Sequence, residues 1–356
     1  MKKYLLLFLI GSIIILTGCG KYDVNDAMKD FSKMVDETNN YSLKGKLEIL
    51  NEEDTFKYDV DVAYKEGDYY KVNLKNNSNN HEQTILKNDE GVYVITPSLN
   101  KSFKFQSEWP NNSSQAYILS TLLHDLENDK EKTFVEKGDE YIFTTSVNYP
   151  NNRSLVKEKI ILDKKMNLKS VEVFDSDNTS IISFKVSTFD KNTNFKKSYF
   201  ALENNVKSEI KEDNASSEAN NDETTEENNT NESKNEENNE ASSLIDEVIY
   251  PMYLPDNTKF ESEEKVSTEG SERVILNFEG DKPFTLIQEA NVASDEFEVI
   301  PVYGELTFLD SSFGVLTSTS LNWTDNNKEY YLVGENLSEE EMVEIASSTN
   351  AVSINK

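Results

Sequence analysis

The residue with the most distinctive chemistry is Cys19, the only cysteine in a chain of 356 residues. It belongs to the stretch ILTGCG, which follows two lysines and an apolar run at Tyr4–Leu16. A basic start and a short apolar run are typical of a secretion signal, because a bilayer span needs about 20 apolar residues. A lone cysteine has no partner for an intramolecular disulfide, and a reactive thiol would need a base or a helix N-terminus beside it. The sequence therefore indicates a thiol that serves the processing of a secreted chain.

Leu16-Thr17-Gly18-Cys19 resembles the lipobox of bacterial lipoproteins. That resemblance implies a signal peptide at residues 1–18 and cleavage before Cys19, which becomes the new N-terminus. It also implies that the Cys19 thiol is diacylglycerated, with palmitate among the attached acyl chains. Two or more acyl chains anchor a protein stably to a membrane. We therefore expect a lipid-anchored protein on the outer face of the cell membrane, with membrane lipid as one partner through Cys19. The alternative is an ordinary signal peptide with a chance cysteine.

Other catalytic chemistry is poorly represented. The two histidines lie far apart, His81 in an asparagine-rich loop and His124 on a helix, so they do not predict a zinc site. The sequence contains no nucleophile elbow, phosphate-binding loop, dinucleotide fingerprint or EF-hand loop. Carboxylate pairs are expected by chance among 66 acidic residues. We predict that the protein is not an enzyme and that it uses no metal and no cofactor.

Charge limits the choice of partners. The formal net charge is −30, so we expect no nucleic-acid partner, because phosphate binding needs clusters of lysine and arginine. Residues 209–240 alone hold 12 acidic and two basic residues and almost no large apolar side chain. Such a segment cannot bury enough surface to offset its ordering entropy. Arginine occurs only at Arg153 and Arg273 while lysine and asparagine abound, a bias typical of a low-GC Gram-positive bacterium.

The acidic segment divides the chain. We predict a first region at 19–206, an extended, disordered linker at 207–241 and a second region at 242–356.

The first region begins as a helix and then becomes a series of strands. Val24, Ala27, Met28 and Phe31 share one helical face. From Phe56 to Tyr64, apolar residues alternate with lysine, aspartate and alanine, which predicts a half-buried strand. Further strands are predicted at 41–49, 70–74, 92–94, 103–105, 141–143, 156–161, 171–174 and 182–186. A second helix is predicted at 116–126, with residues 111–114 as its cap.

This order of elements resembles the lipoprotein-carrier fold of LolA and LolB. The segment GVYVITPSLNKSFKF, before the second helix, is part of the resemblance. The resemblance covers about residues 22–206. It implies an α+β protein whose first region is an unclosed antiparallel β-barrel with helical lids over a hydrophobic cavity. The residues expected to line that cavity are Phe56, Tyr58, Val60, Val62, Tyr64, Tyr70, Val72, Tyr93 and Phe105.

The second region predicts a smaller α+β unit. A hairpin is expected from 273–278 and 283–290, and further strands at 304–308, 314–323 and 328–334. Ser338 and Glu341 form a capping-box pattern that opens a final helix at 338–347. The pattern YLPDNTKF … LNW … YYLVGENLSEEEMVEIA resembles a DUF4367-type extracellular domain. A carrier-like domain joined to this module is similar to sporulation and germination lipoproteins of spore-forming Firmicutes.

Two functions from different classes follow. In the first hypothesis the protein is an interaction module that holds or regulates a protein partner in the cell envelope, a cell-wall or sporulation protein. The extended linker and a second region without a pocket signature favour this hypothesis. In the second, the cavity binds or carries lipid or acyl chains as ligand, which the aromatic alternation favours.

Overall fold

The structure is a computed structural model. The predicted signal peptide, Cys19 and the predicted linker lie outside its described residues. Within the described part of the chain, no helix combines the length and the apolar character that crossing a membrane requires. The described residues are 22–51, 54–150, 152–206, 245, 247–268, 271–290, 297–309, 312–325 and 328–350.

The first region is mostly strand. Its helices are α1 (Val24–Asp36), α2 (Leu119–Asn128) and α3 (Leu202–Val206). Its strands are β1 (Asn40–Asn51), β2 (Asp54–Lys65), β3 (Tyr69–Asn76), β4 (Glu82–Asn88), β5 (Gly91–Thr96), β6 (Lys101–Phe105), β7 (Thr133–Lys137), β8 (Glu140–Ser146), β9 (Leu155–Asp163), β10 (Leu168–Asp175) and β11 (Ser180–Asp190).

Among its described residues the second region adds strands and the nine-residue α-helix α4 (Glu339–Ser347). The predicted capping box opens this helix: the Glu341 N–H donates to the Ser338 hydroxyl at 3.2 Å, and the Ser338 N–H donates to the Glu341 carboxylate at 2.9 Å. The strands are β12 (Thr258–Thr268), β13 (Ser271–Gly280), β14 (Phe284–Ala290), β15 (Glu298–Val302), β16 (Glu305–Leu309), β17 (Ser312–Leu316), β18 (Ser320–Asp325) and β19 (Lys328–Val333).

The strands form two unclosed sheets. The large sheet has the order β15-β6-β5-β4-β3-β2-β1-β11-β10-β9-β8-β7, and the small sheet has the order β12-β13-β14-β19-β18-β17-β16. Pairing is antiparallel except between β15 and β6, which run parallel. Strand β15 comes from the second region, so the large sheet is completed by a segment almost 200 positions beyond β6. The expectation of mostly antiparallel, unclosed strands with few helices is confirmed.

Helix α2 shows that the large sheet is strongly curved. The Ser120 hydroxyl lies 3.0 Å from the Tyr70 hydroxyl on β3, and the Asp125 carbonyl accepts a hydrogen bond of 3.3 Å from Thr145 on β8. These strands are six places apart in the sheet, which is about 29 Å when strands lie flat at about 4.8 Å spacing. Five helical residues extend only about 7.5 Å. The sheet must therefore bend around α2.

The main core lies on the curved face that α1 and α2 cover, which we call the inner face. It includes Phe31 of α1 and Leu122 of α2, both fully buried. It also includes Phe313 and Val315 of β17, so the second region covers part of the inner face as well. The small sheet and α4 enclose a second core around Trp323. The inner face is therefore covered by the two helices that the sequence predicts and, in addition, by strand β17 of the second region.

Three local expectations differ from the structure. The single strand predicted at 314–323 is wrong: Thr317 accepts a hydrogen bond of 2.9 Å from the Ser320 N–H and turns the chain between β17 and β18. The helix predicted at 116–126 begins later, at Leu119. The cap expected at 111–114 is also wrong, because the N-cap position is Ile118, whose side chain makes no capping hydrogen bond.

Candidate functional site

A cavity of about 590 Å³ lies where the inner face meets the second region. Its lining comes from the large sheet, from the loops at 109–117 and 149–155, from strands β16 and β17, and from α4. Small-molecule sites in proteins usually enclose about 300–1,000 Å³. The space is therefore large enough for a ligand or for side chains of a partner.

Three neighbouring strands of the large sheet form the first wall. Ile49 on β1 pairs with Ile182 on β11 and with Phe56 on β2. Because side chains alternate along a strand, Leu47 shares the inward face with Ile49. Ile49 is buried, whereas Phe56 and Ile182 are half-buried and line the cavity. This wall offers an apolar surface.

The hairpin of β16 and β17 forms the opposite wall. Phe308 pairs with Phe313, and their ring centroids are 4.9 Å apart. The Phe308 ring also meets Tyr58 of β2 edge to face at 6.0 Å. The Phe313 N–H donates a hydrogen bond of 3.0 Å to the buried side chain of Gln83 on β4. These contacts fix the hairpin against the inner face and set the width of the cavity.

Aromatic side chains from the 109–117 loop close one side. Trp109 is 2% exposed and meets Tyr70 edge to face at 5.8 Å. Tyr117 meets Phe184 of β11 in the same geometry at 6.1 Å. Burial raises the pKa of Tyr117 well above the usual value of a phenol, so its hydroxyl stays protonated.

Helix α4 supplies the remaining side and the charge. Val343 lines the cavity with its neighbours Glu340 and Glu344. Tyr253 lines it too, and burial together with a hydrogen bond to Glu344 raises the pKa of Tyr253 to about 12. The described lining residues include no lysine, arginine or histidine, so its charges are all negative.

Two buried carboxyl groups, Asp125 on α2 and Glu158 on β9, lie near the 149–155 loop of the cavity. Glu158 is fully buried, and neither of its carboxylate oxygens has a hydrogen-bond partner among the described residues. Burial raises its pKa well above the ordinary range, and the charge of Asp125 raises it further. Burial also raises the pKa of Asp125 to about 6, against a hydrogen bond from Ser114. Tyr149, a cavity residue, has its pKa raised by burial and then by Glu158, so the pair adjoins the cavity.

The structure separates the residues predicted to line a cavity. Phe56 lines it, and Tyr64 is half-buried against the main core. The placement of Tyr93 with the others is wrong: Val92 and Val94 of β5 face inward, so Tyr93 faces outward and packs in a separate cluster. The remaining six are buried within the main core: Tyr58, Val60, Val62, Tyr70, Val72 and Phe105.

Other cavity residues were not singled out by sequence reasoning. Ile182 belongs to a predicted strand and Phe308 to another, and both carry the period-two signal. Trp109 lies in an irregular loop and Val343 on a helix. No local pattern indicates that these four positions meet, because their contacts join distant parts of the chain.

The two histidines do not reach the cavity. The His124 Nε2 lies 2.9 Å from the Asn128 side-chain nitrogen on the exposed face of α2. His81 is half-buried in the turn before β4, and burial lowers its pKa. In the part of the chain that the structure describes, no three histidine, cysteine, aspartate or glutamate side chains are grouped as metal ligands would be. The lining of the cavity, with apolar walls and the carboxylates of α4, suits binding of an apolar group that lies beside carboxylates.

The chain is similar to one curated protein over almost its whole length. It is 33% identical to the sporulation protein YdcC of Bacillus subtilis (strain 168) over 350 residues, which cover 98% of this chain and 97% of that protein. A LolA superfamily protein from Nitrosomonas europaea is similar in structure, with 10% identity, a TM-score of 0.30, and coverage of 51% of this chain and 98% of that chain.

The solved complex of MucA and MucB from Pseudomonas aeruginosa contains a similar chain as well. Its identity is 10% and its TM-score 0.32, with coverage of 90% of this chain and 98% of that chain. A family model described as "Sporulation protein YdcC-like" matches residues 1–200, more than half of the sequence. The chain therefore belongs to the YdcC-like family of sporulation proteins.

Proposed function

We propose that this chain is a non-enzymatic binding protein of the cell envelope that holds or regulates a partner protein during sporulation. The observation that carries the proposal is the cavity, whose apolar walls come from both regions. Membership in a family of sporulation proteins supports the biological setting.

The proposal includes a lipid anchor at Cys19, on the outer face of the cell membrane. We expect Cys19→Ala to abolish incorporation of radiolabelled palmitate and to change where the protein is located, because the thiol carries the diacylglyceryl anchor. Ser12→Ala, a change within the apolar run, is the control and should keep the label. Equal labelling of the parent and Cys19→Ala would refute the lipobox.

The cavity is tested with an apolar fluorescent dye. The parent is expected to bind the dye saturably, and Ile182→Trp should weaken binding at least tenfold because the larger ring fills the space beside Phe56. The free energy of unfolding should change by less than about 1 kcal/mol, since the site has room, whereas overpacking a filled core costs about 1–3 kcal/mol.

Val186→Trp is the matched control for this change. Val186 lies on the same strand, points to the same face and is also half-buried, but it does not line the cavity. Dye binding should therefore survive in Val186→Trp. If the parent shows no saturable binding, the cavity is not a binding site and the proposed function loses its support.

Binding or carriage of an acyl chain is the second candidate function. The apolar wall of Phe56, Ile182 and Phe308 favours it, because hydrocarbon gains by leaving water. Native mass spectrometry of the Cys19→Ala chain, which carries no anchoring lipid and is purified without detergent, separates the two functions. A retained lipid mass that Ile182→Trp removes would favour carriage, and its absence would favour the protein partner.

A further inference from the structure

The charged groups of the cavity belong to one helix face. Glu340 and Glu344 are four residues apart on α4, so their carboxylates are neighbours, and Val343 lies between them. Like charges at this spacing destabilise a helix. Glu344 also lies beyond the first turn, where the helix dipole no longer favours a carboxylate. The helix therefore carries a pair of like charges that takes no part in its capping, although Glu344 accepts a hydrogen bond from the neutral Tyr253 hydroxyl.

These two carboxylates have no cationic partner in the described structure. A salt bridge on this helix joins a different glutamate, Glu341, to Lys282. Glu340 and Glu344 form no ion pair with any described lysine or arginine. An anionic headgroup in the cavity would meet both carboxylates without a compensating cation. A cationic group placed there would neutralise both, so the site selects by charge.

Uncharged polar groups complete the lining. Gln115, Asn152, Ser154 and Ser347 are among the lining residues. Amide and hydroxyl side chains can bond the N–H and C=O groups of a peptide, which an acyl chain does not have. The lining thus combines apolar walls, neutral hydrogen-bonding groups and two carboxylates.

We propose that the cavity receives an apolar side chain of a basic polypeptide segment, whose lysine or arginine pairs with Glu340 and Glu344. This inference rests on the proposed function and specifies the chemistry of its partner. The apolar anchor fills the space between Ile182 and Phe308. The adjacent positive charge lies over α4, because Val343 and the two carboxylates share that side of the cavity.

The test uses two short synthetic peptides with the same leucines, one carrying lysines and the other glutamates at the remaining positions. Fluorescence anisotropy with the full chain should show saturable binding of the lysine peptide and none of the glutamate peptide. The double variant Glu340→Gln, Glu344→Gln should bind the lysine peptide about tenfold or more weakly than the parent does. Added salt should reduce this difference in affinity. The control Glu335→Gln, Glu339→Gln removes the same charge from exposed positions outside the cavity and should bind like the parent.

The outcomes distinguish this inference from the proposed function. Equal binding of the lysine peptide by the two double variants would overturn it, as would no binding of that peptide by a chain that still binds the apolar dye. In both cases the cavity would remain a binding site. Binding of phosphatidylglycerol vesicles that Ile182→Trp weakens and Glu340→Gln, Glu344→Gln leaves unchanged would overturn it in favour of a lipid occupant. Failure of the parent to bind the dye would instead contradict the proposed function.

Discussion

Phe313→Ala is expected to lower the free energy of unfolding by about 3–5 kcal/mol, the usual cost of truncating a buried phenylalanine. Phe313 belongs to the small sheet, yet its side chain lies in the core of the large sheet. Its backbone also bonds Gln83. The truncation should therefore weaken the contact between the two sheets as well as total stability. We expect the sheets to unfold together in the parent and separately in Phe313→Ala.

The two tryptophans allow this coupling to be measured. Trp109 is buried in the core of the large sheet and Trp323 in that of the small sheet. In a Trp109→Phe background, the fluorescence of Trp323 follows unfolding of the second core during a denaturant titration. In a Trp323→Phe background, the fluorescence of Trp109 follows unfolding of the main core. Phe278→Ala is the control, because Phe278 is buried in the second core and stacks on Phe284 at 4.3 Å. It should destabilise the protein without separating the midpoints. Coincident midpoints in Phe313→Ala would show that this side chain does not couple the sheets.

Glu158→Gln is expected to stabilise the protein by about 1–3 kcal/mol at pH 8, because it removes an unpartnered buried carboxylate. The pKa of Glu158 is raised in the folded state, so between the unfolded and the folded pKa the folded protein binds more protons than the unfolded one. The contribution of protonated Glu158 to the stability of the parent is then complete below the unfolded pKa. It is lost as pH rises through the folded pKa. The gain from Glu158→Gln should therefore grow from near zero at pH 4 to its full value at alkaline pH.

The measurement is the difference in free energy of unfolding between variant and parent at several pH values. Glu172→Gln is the control on the neighbouring strand. Glu172 pairs with Lys159 at 2.7 Å and is partly exposed, so its loss should cost less than about 1 kcal/mol. It should show no gain that grows with pH. A constant loss of stability in Glu158→Gln at every pH would mean that the ionised carboxylate is satisfied in the folded protein.

Local sequence patterns are sufficient to predict a helix or strand where one of its faces is buried. Strand β2 alternates from Phe56 to Tyr64 because its inner side chains pack in the core while its lysine and aspartates face solvent. Helix α4 was placed by Ser338 and Glu341, whose capping bonds are both present. The covered inner face of the large sheet follows from such patterns.

The remaining features depend on contacts that no local pattern contains. The sequence pattern does not predict strand β4, because Ile85 packs on the inner face and its neighbour Leu86 on the outer face, which removes the alternation. The expected inward position of Tyr93, in the same part of the sheet, is wrong. The cavity was placed too deep, among residues such as Val60, because the covering hairpin of β16 and β17 comes from more than 240 positions further along the chain.

Strand β15 has a consequence for how the chain can be divided. Its parallel pairing with β6 is reinforced by the Lys101–Glu329 salt bridge at 3.3 Å and by the hydrogen bond of 3.0 Å from Asn112 to Glu305. The covalent connection at 207–244 is thus one link among several between the halves. A protease cut in that connection would leave a noncovalent heterodimer, and the halves made as separate polypeptides are candidates for fragment complementation. Strand exchange through β15 then becomes a route by which two copies of the chain can share their halves.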